Sequence, residues 1–150
     1  MEISIQRIDA ELPLPRYETN GSVGFDILAR IDTEIQPQEV CLIPGNIIVQ
    51  VPPKYMLLIA ARSSLPRKKG LMTPHGLGII DQDYCGPDDE IQIQVYNFTK
   101  EMVTVKRGEK IAQGIFVRID TFQWQETQDN TNPSRGGFGS TGGYHKHDHP

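Results

Sequence analysis

Hydrophobic and polar positions along this chain alternate far more often than they repeat every three or four residues. The clearest run is Glu90-Ile91-Gln92-Ile93-Gln94-Val95-Tyr96, with branched apolar residues at every second position. A period of two puts those residues on one face of a pleated strand and the glutamines on the other. Shorter segments of the same kind run from Ile3 to Ile8, Val23 to Ala29, Val40 to Ile43, Ile47 to Val51, Met56 to Ala61, Met102 to Val105 and Ile111 to Ile119. Turn chemistry bounds them at Asn20-Gly21, Pro44-Gly45-Asn46, Pro52-Pro53 and Arg107-Gly108. Short strands at intervals of roughly 8–12 residues predict an all-β domain: a sandwich, jelly roll or barrel. Only Ser63 to Lys69 reads as helical, a single turn capped by its serines and kept short by Pro66.

Composition agrees with many turns, since the chain holds 14 glycines and 11 prolines in 150 residues. A chain of this length builds one core without disulfides or a structural metal. Its two cysteines, Cys41 and Cys85, make no framework. The N-terminal segment has no leader pattern and no apolar run approaches ~18 residues, so the cytoplasm is the expected compartment, with no membrane partner. The net charge of −4 argues against a nucleic-acid partner gripped through many phosphates. A small anionic ligand held by a few donors is compatible with it.

Residues 1–125 are expected to form the β domain and 126–150 a separate arm. From Glu126 onward there is no Val, Ile, Leu, Met, Ala or Cys, and Phe138 and Tyr144 are the only large apolar groups. Such a segment cannot bury enough surface to order itself. It reads either as a disordered tail or as a closing arm, because Ser134 to Gly142 combines a cation, hydroxyls, one aromatic ring and glycines that expose backbone N–H groups to a polyanion. The terminal His145-Lys146-His147-Asp148-His149 is either a divalent-metal binder or an incidental end.

Three stretches could carry chemistry. Arg62-Ser63-Ser64 ends an apolar run and reads as a plain cap or as a set of phosphate donors. Ile80-Asp81-Gln82-Asp83-Tyr84 follows His75-Gly76-Leu77-Gly78, where glycines let a flat ligand lie on the main chain and a carboxylate can hold and deprotonate a water. The same aspartates also suit a solvated turn. Arg107 to Gln113 reads as a turn leading into a core strand, with Gln113 singled out because a buried amide needs partners.

Taken in order, Gly24-Phe25-Asp26-Ile27, Arg62-Ser63-Ser64, Gly78 to Tyr84, Arg107 to Gln113 and Gly137 to Gly142 resemble the five motifs of the trimeric dUTPases. That resemblance spans almost the whole chain and implies a jelly-roll-like subunit, a homotrimer with active sites at subunit boundaries, and a C-terminal arm exchanged between subunits. It implies Mg²⁺-dependent hydrolysis of dUTP to dUMP and pyrophosphate. By motif, Asp81 matches the carboxylate that positions the water attacking the α-phosphorus, and Tyr84 the ring against deoxyribose. Arg62, Ser63, Ser64 and Gln113 match phosphate ligands, and Asp26 the acid near Mg²⁺, acting through water. Phe138 matches the lid over uracil, and Arg135, Ser140 and Thr141 donors to the distal phosphates. The uracil is expected on main-chain groups from His75 to Ile80, with Gly76 and Gly78 giving close approach and His75 standing beside the base or in a plain turn.

The chain departs from the family pattern twice. Pro87-Asp88-Asp89 reads as an insertion before Glu90, leaving open which acid serves structure and whether the extra carboxylates form a solvated turn or a second metal position. Arg135 and Phe138 are two residues closer than is usual, removing up to ~7 Å of reach, so Arg67, Lys68 or Lys69 becomes an alternative phosphate ligand. Two other readings of the scaffold are a dCTP deaminase and a catalytically silent nucleotide-binding module. Gln94 stands where the deaminases carry a glutamate, and an amide cannot shuttle a proton.

Overall fold

The computed structural model describes residues 2–128 and 131–137. Every strand expected from alternation is present: β1 (Ile5–Arg7), β2 (Phe25–Leu28), β4 (Val40–Pro44), β5 (Ile47–Val49), β6 (Tyr55–Ala61), β9 (Gln92–Asn97), β10 (Val103–Val105) and β11 (Lys110–Arg118). Three further strands, β3 (Thr33–Ile35), β7 (Leu71–Met72) and β8 (Leu77–Ile80), are too short or too glycine-rich for alternation to mark. The helical turn is α1 (Leu65–Lys69), ended by Gly70 in the left-handed region at φ 67. Ser64 occupies the N-cap position, but its backbone is itself helical and its hydroxyl caps nothing.

All pairings are antiparallel, and two sheets carry the fold: β2-β11-β6-β8 and β4-β9-β7, with the pairs β1-β5 and β10-β3 beside them. This is an all-β sandwich, one of the architectures the pattern allows, and of the jelly-roll-like kind that the family resemblance implies. In β9 the alternation is realised literally, since Ile93 and Val95 are buried while Gln92 and Gln94 face outward. Ile27, Leu57, Ile59 and Ala112 from the first sheet meet Ile43, Ile93 and Val95 from the second in one core. Each fully buried branched side chain contributes roughly 1.5–3 kcal/mol. Gly114 is required where β11 crosses β2, because a Cβ there would lie 2.5 Å from the Phe25 ring.

One polar node lies at the edge of this core. Glu90, 8% exposed, takes the Arg30 guanidinium in a two-pronged pair at 2.8 and 2.9 Å and accepts the Asn46 N–H at 2.8 Å. Asn46, with φ 69, continues the network by exchanging hydrogen bonds with the Asp9 backbone. The left-handed turn that joins β4 to β5 is thereby fixed against β9. Glu90 is therefore the inward-facing acid after the Pro87-Asp88-Asp89 segment. Asp89 closes a turn by accepting from the Gly86 N–H, Asp88 is exposed, and no group of three metal-ligating side chains occurs among the described residues. The extra carboxylates form a turn. Among the described residues no helix is long and apolar enough to cross a membrane.

Removing one partner of a largely buried ion pair strands the other. Glu90→Gln should lower the unfolding free energy by about 2–4 kcal/mol, measured by urea denaturation, while Asp88→Asn at the exposed turn should leave it unchanged.

Candidate active site

Asp26 is 7% exposed, an unusual position for a carboxylate, and three residues converge on it. Arg62 Nε lies 3.0 Å from one oxygen, Lys110 Nζ 2.9 Å from the other, and the Gln113 amide donates to Asp26 at 3.5 Å. The strands explain the convergence. Gln113 faces Asp26 directly across the β11–β2 ladder. Lys110 is three positions earlier and in a regular strand would point to the opposite face. An irregularity between Lys110 and Ala112 resets the parity, so that Ile111 and Ala112 are both buried and Lys110 turns toward Asp26. Arg62 leaves the end of β6 and reaches across β11, also donating to the Lys110 carbonyl at 3.4 Å.

Lys110 binds Glu18 as well, and that hydrogen bond, followed by the one to Asp26, holds its ammonium above the ordinary lysine range. A cleft of about 280 Å³ opens beside this cluster, lined by Arg62, Ser64, Lys68, Lys69, Glu109 and Lys110 among others. Ser63 is exposed and Ser64 half-buried next to it. With its hydroxyl unused as a cap, Ser64 is available to a ligand. Cationic forks, hydroxyls and an amide suit phosphate oxygens.

A second cleft, of about 330 Å³, opens between the edge strand β8 and the outward face of β9 and β4. Thr73, His75, Gly78, Ile79, Gln92 and Gln94 help line it. Gly76 has φ 78, and Thr73 donates to its carbonyl at 2.9 Å, which tightens the turn before β8. At Gly78 a Cβ would lie 3.2 Å from Ile59, its partner on β6, and 3.5 Å from the His75 ring, so a glycine lets β8 pack closely there. Because β8 pairs with β6 on one side only, its other edge presents backbone donors and acceptors to a ligand.

Asp81 follows β8 directly and is exposed. Its turn is held by Gln82 donating to the Tyr55 carbonyl at 3.0 Å and by the Tyr84 hydroxyl donating to the Glu90 carbonyl at 3.2 Å.

The structure thus gathers Asp26, Arg62, Ser64 and Gln113 on one side, with Ser63 adjacent, and His75, Gly76, Gly78, Asp81 and Tyr84 on the other. It does not bring the two sets together within one chain. β2 and β8 are the outer strands of their sheet, about 14 Å apart at ordinary strand spacing. Asp81 lies beyond Ile80, whereas the register line of Asp26 runs through Gln113, Ala60 and Leu77, which adds about 13 Å along the strands. Arg135 is exposed and has no ion pair among the described residues. Phe138, Ser140 and Thr141 lie outside the described residues. The sequence reading missed that Lys110 and Glu18 join the Asp26 cluster, since the strand irregularity that turns Lys110 inward leaves no mark in the pattern of residue types.

A divalent cation fits this donor set only indirectly. No cluster of three acidic, histidine or cysteine side chains among the described residues could hold one, and both Asp26 oxygens already face cations. Each carboxylate oxygen keeps a further lone pair for a water, which suits an ion such as Mg²⁺ that retains its waters and arrives on phosphates.

The dUTPase family model matches residues 10–142. A deoxyuridine 5'-triphosphate nucleotidohydrolase of Dictyoglomus turgidum is 36% identical over 148 residues, covering 95% of this chain and 99% of that protein. The crystal structure of a Streptococcus mutans dUTPase superposes with a TM-score of 0.74 at 30% identity, over 80% of this chain and 98% of that one. A Staphylococcus bacteriophage 80alpha dUTPase mutant, solved with dUpNHpp, shares the fold with a TM-score of 0.82 at 21% identity, over 94% and 98% of the two chains. Conserved architecture and sequence over nearly full length lead to one assignment: the chain belongs to the dUTPase family.

Proposed function

We infer that this protein hydrolyses dUTP to dUMP and pyrophosphate, a dUTP diphosphatase of nucleotide metabolism that keeps uracil out of DNA and supplies dUMP for thymidylate synthesis. The observation that carries this reading for the chain's own residues is the cluster of Arg62, Lys110 and Gln113 around buried Asp26, beside a cleft with phosphate-binding chemistry.

In this reading Arg62, Ser63, Ser64 and Gln113 bind phosphate oxygens. The uracil lies against the β8 edge, where backbone groups near Gly76 and Gly78 accept and donate as a pairing strand does. His75 flanks the base and Tyr84 packs on deoxyribose, leaving no space for a 2′-hydroxyl. Asp81 orients a water and takes its proton as the oxygen attacks the α-phosphorus. The bond from that phosphorus to the bridging oxygen breaks, and pyrophosphate leaves with the electron pair. A carboxylate is a weak base, so positioning and charge neutralisation carry most of the acceleration. Asp26 would hold the outer waters of a Mg²⁺ ion, whose charge would offset that of the phosphates.

The separation of Asp81 from the Asp26 cluster supports a homotrimer in which one subunit supplies the phosphate side and a neighbour the base side. Exposed apolar groups around the base cleft favour such burial: Leu42 is 55% and Ile79 61% exposed. Phe122 and Trp124, 80% and 99% exposed, lie on the extended segment that leads to the arm. Covered by a neighbour, they would direct residues 126–150 toward its site, where Phe138 closes over uracil and Arg135, Ser140 and Thr141 reach the distal phosphates.

With Mg²⁺ present, pyrophosphate release should be rapid from dUTP and at least a hundredfold slower from dCTP, dTTP and UTP at equal concentration, a margin of about 2.7 kcal/mol. Ammonia released from dCTP without pyrophosphate from dUTP would replace this reading with deamination. Asp81→Asn should bind a non-hydrolysable dUTP analogue as the parent does while turnover falls roughly 10²–10⁴-fold. Unchanged turnover would remove Asp81 from the mechanism.

A further inference from the structure

The charges lining the phosphate-side cleft balance in pairs, with one exception. Arg62 and Lys110 are matched by Asp26 and Glu18. Lys69 is committed to Glu109 at 2.8 Å and also donates to the Thr104 carbonyl at 3.1 Å. Lys68 lines the same cleft as Arg62, Ser64 and Lys110, is exposed, and has no side-chain hydrogen bond or ion pair among the described residues. Arg67, its neighbour on α1, does not line the cleft. The cleft therefore holds one uncompensated positive charge, on a flexible stem beside the groups suited to phosphate. An ammonium with rotatable donors binds such oxygens as a point charge.

We propose that Lys68 is a substrate-binding residue for the β- and γ-phosphates of the nucleotide, adding a cation there to the one that Arg135 brings. The proposal rests on the dUTPase reading of this site. Geometry distinguishes the three candidates on this helical turn: Lys69 is tied into the fold by two contacts, Arg67 is off the cleft, and Lys68 alone is both placed and unmatched. A monophosphate product lacks the groups Lys68 would bind, so the residue would favour substrate over product.

The test is the affinity of Lys68→Met for the α,β-imido analogue of dUTP and for dUMP, with Mg²⁺, in the full-length protein, beside Lys68→Arg and Arg67→Met. An exposed charge-assisted contact is worth roughly tenfold in affinity. Lys68→Met should therefore bind the analogue about tenfold more weakly than the parent and dUMP within about twofold of it, with Lys68→Arg recovering most of the loss and Arg67→Met showing none. An unchanged analogue affinity, an equal loss for dUMP, or an equal loss in Arg67→Met overturns the proposal, the last because it would show only the general field of the helix. A shared thermal midpoint keeps a folding defect from imitating the result. If the parent protein releases no pyrophosphate from dUTP, the dUTPase reading itself fails; if the parent is active and Lys68→Met binds as it does, only the role of Lys68 fails.

Discussion

The width of one sheet constrains everything else in this molecule. Asp26 and Asp81 sit on opposite edges of β2-β11-β6-β8, with β11 and β6 filled by core residues between them. No side-chain rearrangement bridges the resulting gap of roughly 20 Å. In the proposed reaction, with phosphate donors and a water-orienting carboxylate at one phosphorus atom, these surfaces would have to come from different copies of the chain. On that proposal the fold builds two half-sites and leaves their union to assembly, so that catalytic competence would depend on quaternary structure.

Rigidity on each side comes from different chemistry. Around Asp26 it is electrostatic: the carboxylate is buried because Arg62, Lys110 and Gln113 satisfy it, and those donors are held together by the carboxylate they surround. Either half without the other would be strongly unfavourable in so dry a position. Around β8 and Asp81 it is backbone geometry, a short edge strand held by β6 and a turn pinned through Gln82 and Tyr84. The carbonyl that receives Tyr84 belongs to Glu90, whose carboxylate also anchors Arg30 and Asn46. One residue thus ties the sandwich edge to the loop carrying Asp81 and Tyr84.

How much of this was legible in the sequence varies with the physics involved. Strands with a buried face announce themselves, as Ile91, Ile93 and Val95 do, because the pleat forces a period of two. β3, β7 and β8 escape because two to four residues without alternating neighbours make no period, and because β8 carries Gly78, whose missing Cβ lets it lie against Ile59. The motif residues were legible through the family resemblance, and their grouping on two sides was not. Grouping depends on register, and the register at Lys110 depends on a strand irregularity with no compositional signature. Glu90 was ambiguous for a similar reason: four acids lie between Asp83 and Glu90 with the ends included, and only packing decides which one turns inward.

The division of the site between copies is the central claim, and subunit complementation tests it most directly. Arg62→Ala disables the phosphate side and Asp81→Asn the opposite side, so each variant alone should be nearly inactive with dUTP. Unfolded together in equal amounts and refolded, they should form mixed trimers in which about a quarter of the sites combine an intact Arg62 from one subunit with an intact Asp81 from its neighbour. The account predicts recovery to roughly that fraction of the activity of parent protein refolded in the same way. Activity no higher than the sum of the separately refolded variants would contradict it, because it would mean that Arg62 and Asp81 serve the same site from the same chain.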